Sequence, residues 1–372
     1  MKFRVSLGKV VSAQLTMRII CINLRINYTY DGLFQVSQTK LSLSGLLILA
    51  TCIPAISSAD VNVYSYRQPF LIESVFDAFT AQTGIKVNTV FAKKGLVERL
   101  KNEGRNSPAD LLLTTDSGPL YQAVDEGLTQ ALSNDVLEQN IPEEFRDPDG
   151  HWFGLTSRAR LIVASKDRID PATIKDYEDL AKPEFAKQVC TRSGKHTYMV
   201  ALNASIISHH GIDEASEWLD GVKNNLARKP QGNDRAQVKA INEGECDIAI
   251  INSYYMGQML ADEEQIPWAE SVNVIFPNQS NRGTHMNISG ASLTTGAPNR
   301  DDAIKLLEFM SSDTAQSIYA ETNHEYPVKA DVESSELVQS WGEFKADTLP
   351  LAEIASHRAS AVKLADKVGY DQ

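Results

Sequence analysis

An early alternation of strand and helix patterns is the feature that most constrains the fold. Residues 61–64, 86–91 and 110–114 are short apolar segments typical of strands, and residues 71–83 and 95–103 have the apolar spacing of helices. This β-α-β-α-β order predicts an open, mostly parallel sheet, because parallel strands need helical crossover connections. Neither a GxGxxG motif nor a P-loop follows these strands, which argues against a nucleotide ligand.

The α/β pattern continues along the rest of the chain. Residues 161–167 predict another strand, residues 174–194 predict a helix followed by a strand, and residues 287–312 predict a strand, a Gly/Pro turn and a helix over 300–310. No internal repeat or low-complexity linker marks a domain boundary. Two lobes between which the chain crosses more than once would explain this continuity.

The composition fits a globular protein that is large enough for two cores. The chain has 372 residues, of which 42% are hydrophobic and 23% are charged. Its formal charge of −12 includes +5 from residues 1–59, so that −12 less +5 leaves −17 for the remainder. Such an excess of negative charge argues against nucleic acid or an anionic membrane surface as a partner. After residue 60 no apolar stretch is long enough to span a membrane.

The N-terminal region matches a secretory signal. Lys40 precedes an apolar run over residues 41–54, and the small residues Ser57 and Ala59 follow it. Because the apolar run is short, a cleaved signal is favoured over a membrane anchor. We therefore expect a leader over residues 1–59 with the signal peptide at about 36–59, cleavage near Ala59, and a periplasmic mature protein.

Tyr254 and Tyr255 are adjacent in the segment IINSYYMGQML, where a buried strand pattern passes into a helix pattern. Neighbouring side chains point to opposite faces of a strand and lie roughly 100° apart on a helix. Only at a strand-to-helix corner can two of them converge, and α/β proteins place ligand-binding groups at such corners. A single tyrosine is more often a core or rim aromatic, so the pair by itself leaves that alternative open.

A set of ordered segments resembles the periplasmic ferric-ion-binding proteins that supply iron to ABC importers. These segments are NSPADLLLTTD, DPDGHWFGLTSRAR, ARKPQGNDRAQVKAINEGECDIAIINSYYMG, GTHMNISG and NHEYPV, and the similarity extends from Val61 to about Asp366. The resemblance implies an α/β, type II periplasmic binding protein fold, in which two lobes joined by crossing strands close over iron by a hinge. It also implies a monomer that serves an inner-membrane ABC iron permease and is not an enzyme. The expected lobes are residues 60–160 with 285–332 (lobe 1) and residues 161–284 with 333–372 (lobe 2).

Fe³⁺ is a small, hard cation, and the tyrosines supply the anionic oxygen that such a cation prefers. The cation stabilises the phenolate, although a free phenol has a pKa near ~10. Together with the resemblance, this chemistry makes Tyr254 and Tyr255 expected iron ligands and adds Tyr198. Tyr198 follows a strand and a Ser/Gly turn, and both Tyr198 and Tyr254 lie eight positions after a cysteine. A shared sheet edge would explain that spacing.

The first loop lacks the His-Tyr pair with which some members of this family complete the iron shell. It reads SYRQPF, with Gln68 and Pro69 in place of those ligands. Members with this YRQP version are similar to those that use a bidentate carbonate, so we expect a synergistic anion, with carbonate first and citrate or phosphate as alternatives. Arg67, Gln68 and Arg158 are the candidate anion donors, since arginine offers a planar fork. Arg160 is nearly as good a candidate as Arg158.

The four cysteines divide into two in the leader and a later pair. Cys21 and Cys52 precede residue 60, which leaves Cys190 and Cys246 in the mature chain. In an oxidising periplasm such a single pair favours one disulfide, with two buried thiols as the alternative.

Two other functions have to be weighed against iron binding. A binding protein of the same fold could instead hold a small organic cation such as thiamine or a polyamine, because aromatic side chains also surround cations. An enzyme is disfavoured because the sequence has no GxSxG motif and no informatively spaced acid/base pair. No HExxH or CxxC spacing indicates zinc, and whether His196 or Asp116 contacts the site stays open.

Overall fold

The computed structural model describes residues 60–372, which contain nine strands and thirteen α-helices. The strands are β1 (Val61–Ser65), β2 (Val87–Phe91), β3 (Leu111–Thr114), β4 (Phe153–Ser165), β5 (Val189–Cys190), β6 (Ile248–Asn252), β7 (Val272–Ile275), β8 (Met286–Leu293) and β9 (Tyr326–Pro327). The helices are α1 (Glu73–Thr83), α2 (Leu96–Glu103), α3 (Ser117–Asp125), α4 (Asp135–Asn140), α5 (Thr197–Asn224), α6 (Asp234–Asn242), α7 (Tyr254–Leu260), α8 (Ile266–Glu270), α9 (Arg300–Met310), α10 (Asp313–Asn323), α11 (Glu336–Gln339), α12 (Leu351–Ser356) and α13 (Arg358–Lys367). The expected signal peptide and its cleavage near Ala59 lie outside the described residues.

The first sheet is built from the β-α-β-α-β opening. Its strands run in the order β2-β1-β3-β8-β4, with β9 paired to β4. β1 pairs in parallel with both β2 and β3, and α1 and α2 make the crossovers. Gly84 ends α1 with a φ of 76°, in the left-handed region that glycine adopts without strain. All five predicted elements of the opening are confirmed, with boundaries within two residues of the expected ones.

β4 is a 13-residue strand that is buried throughout and runs through both sheets. Its first half, up to Ala159, pairs antiparallel with β8 in the first sheet. Its second half, from Arg160 onward, pairs antiparallel with β6 in the second sheet. The chain therefore passes from one sheet to the other between Ala159 and Arg160.

The first half of β4 was not predicted as strand, because its polar residues interrupt the apolar pattern. In the structure these side chains are buried and have internal partners. Arg158 donates to Ser289 Oγ at 3.3 Å, and Thr156 Oγ1 accepts from Arg67 Nη1 at 3.3 Å. A strand whose polar side chains are satisfied inside the protein lacks the uniform apolar run on which the prediction depended.

The second sheet consists of the end of β4, β6 and β7 antiparallel to it, and β5 parallel to β6. We expected mostly parallel sheets, whereas the parallel pairs of the described strands are β1-β2, β1-β3 and β5-β6. The difference arises because β4 carries the chain out of the first sheet and β8 carries it back, so these two strands run in opposite directions.

The helix predicted in the first part of residues 174–194 is wrong. The region instead contains two short 3-10 turns, Tyr177–Ala181 and Pro183–Phe185, and a third, Pro171–Thr173, directly precedes it. The carboxylate of Asp179 accepts hydrogen bonds from the backbone N–H groups of Lys175 and Asp176 at 2.7 and 2.9 Å. Prolines and this local side-chain bonding compete with a regular helix, so the segment turns before it reaches β5.

Each sheet has helices on both faces and its own apolar core. On the first sheet, α1, α9 and α10 pack on one face, and α2 and α3 pack on the other. On the second sheet, α5 and α13 cover one face, and α6, α7 and α8 cover the other. The short helix α12 contacts both α3 and α5 and so joins the two halves of the molecule. No helix within residues 60–372 combines the length and apolarity needed to cross a lipid bilayer.

Candidate functional site

Three tyrosines meet at one edge of the second sheet. β5 and β6 are parallel neighbours, so the segments that follow them start from the same edge. Tyr198 lies in the first turn of α5, and Tyr254 and Tyr255 are the first two residues of α7. The hydroxyl oxygens of Tyr198 and Tyr254 are 3.1 Å apart, and the ring centroids of Tyr254 and Tyr255 are 4.3 Å apart. The structure thus brings together the three tyrosines that the sequence singled out.

A disulfide fixes the start of both tyrosine-bearing segments. Cys190, the last residue of β5, is bonded to Cys246, which precedes β6, and their Cα atoms are 6.0 Å apart. Both cysteines are buried, with exposed fractions of 0% and 2%. The bond ties the two chain segments together one strand length before the tyrosines.

The tyrosines line a cleft of about 470 Å³ between the two sheets. The first-sheet side of the molecule contributes the opposite wall, which consists of Tyr66, Gln68, Phe70, Leu71, Phe91, Lys93, Lys94, Gly95, Glu98, Thr115, Asp116 and Pro119. The expected anion donor Gln68 is exposed and faces this space. All three tyrosines therefore come from one side of the cleft, and residues of the first-sheet side face them from the other.

The hydroxyls of Tyr254 and Tyr255 lie in surroundings that hold them in the protonated form. Burial raises the pKa of Tyr254 well above its usual value, and the phenols of Tyr198 and Tyr255 raise it further. Burial also raises the pKa of Tyr255, with smaller contributions from Tyr198 and Asp234. Only a strong positive charge in the cleft could convert this cluster to phenolates at neutral pH.

Three arginine side chains place positive charge around Tyr198. The guanidinium carbons of Arg158, Arg160 and Arg192 lie 5.7, 5.8 and 5.0 Å from the centre of its ring. Asp234 accepts hydrogen bonds from Arg160 and Arg192 at 2.7 and 2.9 Å. Burial acts to raise the pKa of Asp234, but the two guanidiniums outweigh it and leave the pKa below its usual value. Three cations against one carboxylate favour an anionic oxygen beside them.

Arg67, the first of the expected anion donors, does not line the cleft. Its side chain is buried, and its Nη1 and Nη2 donate to the Glu325 carboxylate at 3.0 and 2.6 Å. Nη1 also reaches Thr156 Oγ1 at 3.3 Å. The planar fork that matches carbonate matches a carboxylate equally well, and Glu325 occupies it. The sequence analysis had not considered this partner, which lies 258 residues further along the chain.

Arg158 takes a position behind Tyr198 and away from the large cleft. Its guanidinium donates to the carbonyl oxygen of Thr115 and to Ser289 Oγ. It lines a small cavity of about 10 Å³ together with Tyr198 and Arg160. Arg158 and Arg160 thus both lie beside Tyr198, so their positions do not favour one of them over the other as the expected anion donor.

His196 and Asp116 both line the cleft but already have partners. His196 caps α5, because its Nδ1 accepts from the backbone N–H of Tyr198 at 3.2 Å. Burial, followed by the charge of Arg192, lowers the pKa of His196 to about 3, so the ring is neutral and its proton lies on Nε2. The Asp116 carboxylate caps α3 and accepts from Gly118 N–H at 2.8 Å.

The remaining cleft residues give it an excess of positive charge. Lys93, Lys94, Arg192 and Arg235 line the space against the two acidic residues Glu98 and Asp116. Sequence reasoning missed these cations because they come from separate segments, and a surface lysine or arginine carries no local signal of its own. In a chain with net negative charge, a cleft lined in this way favours an anionic species.

No group of three or more His, Cys, Asp or Glu side chains within residues 60–372 is arranged to hold a metal ion. Tyr66 is a further phenol in the cleft wall, but its hydroxyl accepts from the N–H groups of Leu96 and Val97 at 2.9 and 3.0 Å. Its position in the first loop had not been singled out from the sequence.

Comparison with known proteins places these features in a wider context. Residues 106–346 match the family described as bacterial extracellular solute-binding protein. The chain is 43% identical over 314 residues to iron uptake protein A1 of Synechocystis sp., which covers 84% of this chain and 87% of that protein. Among solved structures, apo ferric ion-binding protein A of Pasteurella haemolytica is similar with a TM-score of 0.81 and 52% identity, covering 85% of this chain and 99% of that one. Trichodesmium IdiA (FutA), in complex with iron and citrate ligands, has a TM-score of 0.79 and 41% identity, covering 84% and 99%.

Proposed function

The chain belongs to the bacterial extracellular solute-binding protein family, and from this premise we propose that it captures ferric iron in its cleft and delivers it to an ABC importer. The observation that carries the proposal is the 3.1 Å separation between the hydroxyl oxygens of Tyr198 and Tyr254. Two phenol oxygens at that distance can contact one small cation. The names of its relatives, iron uptake protein A1 and ferric ion-binding protein A, support the same substrate.

Tyr198, Tyr254 and Tyr255 are the proposed iron ligands. Fe³⁺ prefers hard anionic oxygen, and a bound trivalent cation lowers the pKa of a coordinating phenol enough to ionise it. Arg158, Arg160 and Arg192 offset part of the phenolate charge while Asp234 holds two of them in place. Without a metal, the raised pKa values of Tyr254 and Tyr255 keep these two phenols protonated, and a trivalent cation would ionise them.

A small anion completes the proposed iron site. Three phenolates leave positions on the ion unfilled, and Gln68 together with the cleft cations Arg192 and Arg235 offers donors for an anionic ligand. Carbonate is our first choice of anion on the basis of the YRQP loop. Citrate is the second choice, because the Trichodesmium relative is in complex with iron and citrate ligands. The cleft volume of about 470 Å³ accommodates either anion.

The expected lobes and setting form part of the proposal. We assign residues 60–160 and 285–332 to lobe 1 and residues 161–284 and 333–372 to lobe 2, with the hinge in the middle of β4 and just before β8, where the chain crosses between the sheets. The mature protein is a periplasmic monomer, it catalyses no reaction, and its partner is an inner-membrane ABC permease. The solute-binding family and the ferric-binding relatives support this setting.

A small organic cation such as thiamine or a polyamine fits the cleft less well. Lys93, Lys94, Arg192 and Arg235 face the space and repel any cation at short range. Fe³⁺ offsets this repulsion because it ionises the tyrosines that bind it, whereas an organic cation leaves the phenols neutral. The aromatic residues would have to compensate for this repulsion, and an aromatic contact with a cation contributes only about 0.5 to 2 kcal/mol.

Titration of the metal-free protein with ferric nitrilotriacetate tests the function. We expect a visible phenolate-to-iron charge-transfer band that saturates at one iron per chain. Excess spermidine or thiamine should leave the band unchanged. If no band develops while either organic cation binds in calorimetry, the organic-cation alternative replaces the iron proposal.

A further inference from the structure

The side chain of Arg358 lies between the two sides of the cleft. Arg358 is the first residue of α13, which packs against α5 in the lobe that carries the tyrosines. Its Nη2 donates to Thr197 Oγ1 at 2.9 Å, and Thr197 directly precedes Tyr198. Its Nη1 lies 2.7 Å from Oδ1 of Asp116, on the opposite side of the cleft. One guanidinium therefore contacts both lobes.

Asp116 is firmly attached to its own lobe. Its side chain is 1% exposed, Oδ1 accepts from Gly118 N–H at 2.8 Å, and Oδ2 accepts from Asn287 Nδ2 at 2.9 Å. Gly118 belongs to the first turn of α3, whereas Asn287 is the second residue of β8, close to the point at which the chain re-enters the first sheet. A displacement of Asp116 would therefore affect both the start of α3 and the proposed hinge.

Gly118 provides the space in which the guanidinium lies. A Cβ atom at this position would be 2.1 Å from Nε and 2.4 Å from Cζ of Arg358. Such distances are far below van der Waals contact, so any larger residue would displace the arginine. The glycine is thereby explained by a close approach of a side chain from the distant C-terminal segment.

We propose that Arg358 is a positioning residue that couples closure of the cleft to the tyrosine site. Hinge rotation changes the distance between Asp116 and Thr197, so the two contacts of Arg358 form together only when the lobes are closed. In that state the guanidinium holds the start of α5, and with it Tyr198, against lobe 1. The inference rests on the proposed function only in that closure is taken to retain iron.

The ion pair between Arg358 and Asp116, here called the bridge, lies in surroundings that strengthen it. Arg358 is 19% exposed and Asp116 is 1% exposed, so the pair is largely shielded from water. An ion pair in such surroundings is screened less by solvent and salt than an exposed ion pair. Removing one partner of a shielded pair mainly raises the rate at which two surfaces separate.

A second ion pair on the same helix provides the matched control. Lys195, in the turn before α5, contacts Asp366 of α13. Both side chains are about half exposed, and both residues belong to the tyrosine-bearing lobe. Lys195→Ala therefore removes a charge next to the same helices without touching a contact between lobes.

The first experiment measures iron release into excess chelator by loss of the visible band at fixed pH. Arg358→Ala should release iron roughly tenfold faster or more than the parent, as expected for a shielded charge pair. The band itself should keep its position, since the tyrosines are unchanged. Arg358→Lys should lie between the two, and Lys195→Ala should match the parent. Equal rates in Arg358→Ala and the parent, or equal acceleration in both alanine variants, would overturn the proposal.

The second experiment needs no iron and separates the two proposals. Small-angle X-ray scattering of the metal-free protein should give a larger radius of gyration for Arg358→Ala than for the parent and Lys195→Ala. If the parent never binds iron, the proposed function fails while this comparison still tests the bridge. Identical scattering from all three proteins would exclude the proposed role of the Arg358–Asp116 bridge. Arg358→Gln replaces the alanine variant in both experiments if the latter does not fold, with the same expected results.

Discussion

The hydroxyl oxygens of Tyr198 and Tyr254 lie 3.1 Å apart although 56 residues separate them in the chain. The disulfide between Cys190 and Cys246 spans the same sequence separation. The two segments run from a joined cysteine pair along parallel strands to adjacent helix starts, so they stay in step. The strand pairing, the disulfide and the tyrosine contact are therefore parts of one arrangement.

Loss of single tyrosine hydroxyls should weaken iron binding while leaving the fold intact. Tyr198→Phe, Tyr254→Phe and Tyr255→Phe each keep the ring and remove one ligand oxygen. We expect a loss of affinity beyond the roughly 10 to 100-fold that is typical of partners outside the ligand shell. Competition against nitrilotriacetate, followed by the visible band, measures it. Tyr326→Phe is the control, because Tyr326 lies outside the cleft and its hydroxyl has no hydrogen-bond partner among the described residues. Unchanged affinity in all three cleft variants would remove the tyrosines from the site.

Iron binding should release protons from the tyrosines. The pKa values of Tyr254 and Tyr255 are raised above the usual value, so both phenols are protonated at neutral pH without metal. Calorimetry in two buffers of different ionisation enthalpy should detect at least two protons released per iron, and affinity should fall as the pH is lowered. A binding reaction that releases no proton contradicts phenolate ligation.

The same pKa shifts make a prediction for the stability of the metal-free protein. A phenol whose folded pKa lies above its unfolded value stabilises the fold below about pH 10, and this contribution is lost as the pH rises further. Urea unfolding of the metal-free parent should therefore show a greater loss of stability above pH 10 than the Tyr254→Phe/Tyr255→Phe variant. Parallel pH profiles for the two proteins would contradict the raised values.

The synergistic anion should act through Gln68. In buffer stripped of carbonate and other small anions, the parent should bind iron more weakly than in bicarbonate. Gln68→Ala should lose part of this dependence, since its side chain faces the cleft. Lys166→Ala, which alters an exposed residue away from the cleft, is the control. If the stripped parent binds iron as tightly as in bicarbonate, the protein fills the shell without an anion.

Arg67 should contribute to stability and leave the anion dependence unchanged. Arg67→Ala would strand the Glu325 carboxylate, which is 3% exposed, at a cost of about 3 to 5 kcal/mol in the free energy of unfolding. The double variant Arg67→Met/Glu325→Leu should recover much of this loss, because it removes both buried charges. Urea unfolding measures the stability, and the folded variants should keep the bicarbonate effect. If the folded Arg67→Ala variant lost the bicarbonate effect, Arg67 would belong to the anion site after all.

The sequence predicted local structure well and long-range partners poorly. The passage from β6 into α7 within residues 250–260 and the bounds of α9 follow from patterns within a few residues, and both were predicted. The 3-10 turns after Pro171 and the first half of β4 were missed, because proline interruptions and buried polar side chains obscure those patterns.

Taken alone, the sequence determined the α/β class and the cysteine pair through residue type and spacing, and its resemblance to the ferric-ion-binding proteins singled out the three candidate tyrosines. Only the tertiary structure decided which groups those side chains meet. It gave the fork of Arg67 to Glu325, set Arg192 and Asp234 beside Tyr198, and brought Arg358 to Asp116 from a distant part of the chain. The physical reason is that a charged side chain has many chemically suitable partners, and its choice depends on which of them the packed backbone brings within a few ångströms and shields from water.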